Sequence, residues 1–181
     1  MPDITIRIED KPVLDALNRL SRKMSDLSPV LRVIGEDLVK STEARFGSQG
    51  PAPDGTRWAA LSPATLKRKK HSKILTELGH LRGSIRSQLM GTHAVAVGTN
   101  MEYGAIHQLG GTIQHGARSE IFVRNRSKSG AFKKGTTTGR GFTFRGHETR
   151  IPTRPYLGIS REDRLLILRE IDSHLSSGLK G

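Results

Sequence analysis

The sequence predicts an α+β fold: a small antiparallel sheet packed with N-terminal helices and a C-terminal helix, plus a long extended basic β-hairpin. Three observations predict it. Apolar residues recur at helical spacing near both ends of the chain, the mark of helices with one buried side. Short runs in the middle alternate apolar and polar residues, the period of a strand. Residues 113–150 interrupt both patterns with a segment rich in Lys, Arg, Ser, Thr and Gly.

The elements follow in order. Ile4, Ile6 and Ile8 alternate with Thr5, Arg7 and Glu9, a half-buried strand. Asp10 stands where it would cap the next helix, with Pro12 in its first turn. Val13, Leu17, Leu20 and Met24 form that helix's apolar stripe. Ser28-Pro29 reads as a capping serine before a helix-starting proline. Leu31, Ile34, Leu38, Thr42 and Phe46 line the second helix. Residues 47–58 then break the pattern into a loop, with Asp54-Gly55 as a tight turn. Trp58, the only tryptophan, is expected to cover a core edge.

Ser62-Pro63 opens a short helix that runs into a basic cluster. Leu81, Gly83, Ile85, Ser87 and Leu89 alternate with polar residues, and Val95 and Val97 do so after the break at 90–93. This predicts an antiparallel hairpin over 81–97. Thr99-Asn100-Met101-Glu102 resembles a capping box before a short helix through Gln108, which Gly110-Gly111 ends. Ile121-Phe122-Val123 and Phe142-Thr143-Phe144 are the strand-like flanks of a basic tip at 125–141. Pro152 and Pro155 hold the returning chain extended at a sheet edge. Ser160 caps a last helix with Glu162 and Asp163 in its first turn, and Leu165, Leu168, Ile171 and Leu175 are its expected buried stripe.

Length and composition bound what such a chain does. Its 181 residues fit one domain, 1–181, in which 113–150 is an inserted arm. It contains no cysteine, which excludes a disulfide framework, a thiol nucleophile and thiolate metal sites. No apolar run approaches the roughly 18–20 residues of a membrane span, so no membrane partner is expected. The start Met1-Pro2-Asp3-Ile4-Thr5 does not read as a signal peptide, so folding is expected in a reducing cytoplasm. Among its histidines, His71, His80, His93, His107, His115, His147 and His174, no two stand at helix-face metal spacing. His147-Glu148-Thr149-Arg150-Ile151 lacks the second histidine of a zinc-protease motif. In the glycine-rich run 130–137, Thr136 stands where a phosphate loop needs lysine. No carboxylate pair sits in an apolar setting suited to acid–base work. No catalytic residue, cofactor or metal is expected, and the protein is read as no enzyme.

The net charge is +13, and it is concentrated. Residues 66–73 contribute +5 and residues 113–150 contribute +7, so the rest of the chain is nearly neutral. Such segments are contact surfaces for an acidic partner. The candidate partner or DNA contacts are Lys67, Arg68, Lys69, Lys70, Arg124, Arg126, Lys133, Lys134 and Arg140. There is no zinc finger, no aromatic-rich RNA-binding strand and no clear helix-turn-helix, so phosphate binding would be non-specific. One reading of the chain is therefore a non-specific nucleic-acid-binding accessory protein.

Three ordered stretches carry a further signal. The first holds Phe46-Gly47, Pro53-Asp54-Gly55-Thr56-Arg57-Trp58, Leu61 and Thr65. The second runs from Ile74-Leu75-Thr76 through His80-Leu81-Arg82-Gly83-Ser84-Ile85 to Val97-Gly98-Thr99. The third is Tyr103-Gly104-Ala105-Ile106-His107-Gln108-Leu109-Gly110-Gly111, closed by Arg154-Pro155-Tyr156-Leu157-Gly158. In this order and spacing they resemble the virion morphogenesis (tail completion) family of Mu-like and P2-like tailed phages. The resemblance covers the chain from about Val30 to the C-terminal helix.

The resemblance implies a structural virion protein at the head–tail junction, in neck-ring formation, tail completion or head–tail joining. It implies an α+β fold, no cofactor and no reaction. It also implies a homo-oligomeric ring, with a hexamer favoured, bound to neighbouring neck and tail proteins and in contact with DNA in the channel. Tyr103 and His107 lie one turn apart on the expected short helix and share a face. They either pack within the subunit or, with Gln108 and Trp58, form a subunit seam.

Overall fold

The structure, a computed structural model, describes the backbone of residues 11–126 and 132–179 and their side chains apart from 120–142, 178 and 179. The alternating run 4–8, Asp10 and the tip residues 127–131 lie outside the described residues. The fold is α+β, as expected. Its elements are helices α1 (Lys11–Ser25), α2 (Ser28–Ser48), α3 (Pro63–Arg68) and α4 (His80–Gly83), and strands β1 (Arg86–Leu89) and β2 (Val95–Gly98). Helix α5 (Gly104–Leu109), strands β3 (Gly111–His115), β4 (Arg118–Arg126), β5 (Phe132–Phe144) and β6 (His147–Ile151), and helix α6 (Arg161–Leu179) follow. The strands form three separate antiparallel ladders, β1–β2, β3–β6 and β4–β5. The chain divides into two compact units, Met1–Leu109 with Thr153–Gly181, and Gly110–Pro152.

Helix α2 organises the first unit. Val30, Ile34, Gly35, Thr42, Arg45 and Phe46 are buried along it, so the expected stripe packs inward. The helix starts on a carboxylate rather than on the serine: the Ser28 N–H donates to Asp26 Oδ1 (2.9 Å), which serves an otherwise unpaired first-turn donor. It also runs two residues past the expected boundary, to Ser48, and ends where Gln49 takes a left-handed conformation (φ 63°). Helix α2 packs on the β1–β2 hairpin. Gly35 permits that approach, since a Cβ there would lie 2.8 Å from Val95 Cγ2 and 2.9 Å from Ser87 Cβ.

The core gathers Phe46, Ala52, Trp58, Leu81, Ile85 and Tyr156. Phe46 meets Trp58 edge-on (5.8 Å between centroids) and Tyr156 at a tilt (5.3 Å), the arrangements aromatic quadrupoles favour. Both polar tips are satisfied: Trp58 Nε1 donates to the Pro155 carbonyl (2.7 Å) and the Tyr156 hydroxyl to the Gly104 carbonyl (3.1 Å).

Further expectations change in the first unit. The strand expected over 81–89 begins only at Arg86, because 80–83 form the helical turn α4. Leu81 and Ile85, both buried, stand four residues apart, which fits a helical turn as well as it fits alternation. Thr99 does not open a capping box with Glu102. Its Oγ1 accepts from the Met101 N–H (3.1 Å), and α5 starts only at Gly104.

The third change concerns the helix stripes. On α6, Leu165, Leu168 and Ile171 are exposed, and Leu175 is half-buried. The inward side carries Asp163, Leu166, Ile167, Glu170 and His174 instead. Asp163 fixes this rotation by pairing with Arg45 of α2. On α1, Val13, Leu17 and Met24 of the expected stripe are exposed with Leu14, and only Leu20 is half-buried.

In the second unit, β3 pairs with β6 from Gly111↔Ile151 to His115↔His147. The β4–β5 ladder runs from Arg118↔Phe144 to Arg126↔Phe132, with irregular register between Glu120 and Phe122 and between Arg124 and Arg126. Residues 116–117 and 145–146 link the ladders. The links pass closely: a Cβ on Gly146 would lie 3.2 Å from the His115 carbonyl oxygen and 3.4 Å from the Ala117 nitrogen. The inserted segment is thus two successive ladders rather than one continuous hairpin.

Candidate assembly surfaces

The residues of the three sequence stretches converge on one framework. Arg154 donates from Nε to the Ala59 carbonyl (2.7 Å) and from Nη2 to the Ala60 carbonyl (2.9 Å). Its backbone N–H donates to the His107 carbonyl (2.8 Å). Gln108 completes the stitch: Oε1 accepts from the Tyr156 and Leu157 N–H groups (3.0 Å each), and Nε2 donates to the Leu157 carbonyl (2.9 Å). One glutamine side chain therefore satisfies three backbone groups of an irregular segment, where ladder bonds are unavailable.

Of the four expected seam residues, Trp58 is buried, Gln108 faces this framework, His107 is half-buried and Tyr103 is exposed. Tyr103 and His107 do share a face, their rings 6.2 Å apart and edge-on. His107 Nδ1 is buried with no hydrogen-bond partner. Burial, then the charge of Arg154, holds the His107 imidazole below the usual histidine range, so the neutral ring is favoured.

A second anchor lies between α2 and α6. Arg45 and Asp163 are buried and paired. Arg45 also donates to the Tyr156 carbonyl (3.1 Å), the Gly158 carbonyl (3.3 Å) and Ser41 Oγ (3.0 Å). Asp163 Oδ2 accepts from the Ser160 N–H (2.8 Å), while Ser160 Oγ accepts from the Asp163 N–H (3.1 Å). This is a reciprocal helix cap with aspartate in the acidic position. Burial pushes the Asp163 carboxyl up, but hydrogen bonds from Ser41 and Ser160 and the charge of Arg45 outweigh it and hold the group below the usual range.

The basic positions separate into two kinds. Lys67, Arg68 and Lys70 are exposed. Lys69 is committed within the chain, donating to the Thr76 carbonyl (2.7 Å) and pairing with Glu77 (2.6 Å). Arg124 and Arg126 lie on β4, and Lys133, Lys134 and Arg140 on β5; their side chains lie outside the described residues. Among the described residues no three His, Asp or Glu side chains gather as a metal site, and no helix is long and apolar enough to cross a membrane.

The signals that sequence reasoning missed are the buried Arg45–Asp163 pair and the outward rotation of α1 and α6. An arginine one residue before a stripe position resembles a solvated helix side, and only its partner more than a hundred residues away reveals its burial. In the first unit, polar groups are tied to the backbone inside while apolar side chains of α1 and α6 stay exposed.

Residues 8–176 match the model of the phage virion morphogenesis family, and the chain belongs to that family. Its role is structural or in assembly of a phage. The putative capsid assembly protein G of Escherichia phage Mu is 26% identical over 183 residues, covering 98% of this chain and 97% of its own. The Mu-like prophage FluMu G protein 2 of Haemophilus influenzae is 26% identical over 169 residues, covering 93% and 92%. No solved structure matches the chain.

Proposed function

We propose that the protein is a non-enzymatic virion component that acts at the head–tail junction of a tailed phage, assembling there as a homo-oligomeric ring, with six subunits favoured. It forms the neck ring, completes the tail or joins head to tail, and it reaches the virion from the host cytoplasm. The observation that carries this reading is the outward apolar face of α1 and α6, where Leu17 is 54%, Leu165 57% and Leu168 64% exposed. Apolar area of this kind is stabilised by burial against a neighbour at about 25 cal/mol per Å². The Tyr103–His107 face is a second, more polar contact in the same ring. The basic segments then meet a neighbouring subunit, a neck or tail protein, or DNA in the channel. A ring multiplies the charge of each copy, which favours a polyanion passing through it.

The test is to replace Leu165 and Leu168 by aspartate. Because both side chains are exposed, the monomer should keep its stability within about 0.5 kcal/mol per site. The variant should fail to form the parent's oligomer in native mass spectrometry and fail to restore infectivity to a phage lacking the gene. A folded variant that assembles and restores infectivity fully would overturn the reading.

A further inference from the structure

Where the two ladders of Gly110–Pro152 meet, a cavity of about 380 Å³ is lined by Gln114, His115, Arg118, Phe144, Arg145 and His147. Sequence spacing gives no hint of this cluster; strand register creates it. His115 and His147 are cross-strand partners at the end of one ladder, and Arg118 and Phe144 are partners at the start of the next. The two imidazoles stack with centroids 4.5 Å apart and planes 13° from parallel. The Arg118 guanidinium lies over the Phe144 ring, 5.0 Å from its centroid. A cation–π contact of this kind orients the planar group while leaving its in-plane N–H donors available.

Among the described residues no carboxylate lines the cavity. Among the described residues, neither Arg118 nor Arg145 pairs with a carboxylate. Glu148 does not itself line the cavity; it pairs across the ladder with Gln114 and accepts from Gln114 Nε2 (2.6 Å). The cavity face therefore presents two permanent cations beside two imidazoles, a setting that favours an anion. An arginine fork matches the oxygen geometry of a phosphate group.

We propose that this cavity is a phosphate site for the backbone of a nucleic acid, with Arg118 and Arg145 binding the phosphate and the stacked rings of His115 and His147 forming its wall. The proposal deepens the reading of the arm as a DNA contact and rests on it. It assigns four residues, none of them among the candidate contacts named from the sequence.

The test is fluorescence anisotropy of the intact chain with a labelled duplex oligonucleotide, over a range of salt. The parent should bind at low salt and weaken steeply as salt rises. The double variant Arg118→Ala/Arg145→Ala should lose about tenfold in affinity, and its log–log salt slope should fall by about one, for the one phosphate contact removed. His115→Asn/His147→Asn should weaken binding less than the double arginine variant does, with far-UV circular dichroism confirming the fold. Lys133→Ala/Lys134→Ala should lose affinity through a contact outside the cavity. An unchanged salt slope in the double arginine variant would overturn the cavity as a site, while loss of affinity in the lysine variant would leave the arm reading standing. No duplex binding by the parent at low salt would sink both. Equal competition by polyglutamate of matched charge would overturn the nucleic-acid assignment.

Discussion

At the scale of single residues, the Arg45–Asp163 pair sets the terms of stability. Removing one partner of a buried, hydrogen-bonded ion pair leaves a charge without compensation, at a cost of about 3–5 kcal/mol. Asp163→Asn is therefore expected to lower the urea midpoint strongly at neutral pH. The pH dependence has a definite sign. The folded-state pKa of Asp163 lies below its ordinary value, so its stabilisation is present above the ordinary carboxylate range of about 4 and is lost as the pH falls through the folded value. Denaturation curves from pH 6 to pH 2 should show a steep acid-side loss in the parent and a shallower one in Asp163→Asn. His107 acts in a higher window. With its imidazole held below the usual range, its contribution is present above about pH 6.5 and declines below it. The Ser160 cap was legible from sequence because capping is local. The Asp163 partner was not, because nothing near it in the chain marks Arg45.

At the scale of elements, close approach decides more than propensity does. Replacing Gly35 by alanine gains about 1 kcal/mol of helix propensity, yet it forces a Cβ against Val95 and Ser87 at 2.8–2.9 Å. Overpacking of this kind costs about 1–3 kcal/mol, so Gly35→Ala should lower the melting temperature. Adding Val95→Ala should recover part of the loss, because it removes one of the two contacts. Equal melting temperatures for Gly35→Ala and the parent would contradict the packing described for α2.

The existence of the long helices and of the β1–β2 hairpin was legible from periodicity, because their runs are long or sharply alternating. Their orientation was not. Periodicity says that Leu165, Leu168, Ile171 and Leu175 share a side; it does not say that a polar anchor at Asp163 turns that side outward. The helical turn at 80–83 was missed because Leu81 and Ile85 satisfy both periods over so short a run.

At the scale of the whole molecule, the family match over residues 8–176 spans residues whose structural work is now visible. Phe46, Trp58, Leu81, Ile85 and Tyr156 form the core, and Gln108 and Arg154 stitch its irregular segment together. That is why the ordered stretches were legible in the sequence: they encode a scaffold that cannot be rebuilt from composition alone. The candidate phosphate cavity was illegible because His115 and His147 meet only through ladder register, thirty-two positions apart in the chain.

The central claim is a structural role at the head–tail junction. The most direct measurement is electron microscopy of lysates from a phage in which this gene is disrupted. The account predicts filled heads beside unattached tails, or tails of irregular length, with infectivity restored when the intact protein is supplied. Normal, infectious particles made without the protein would contradict it.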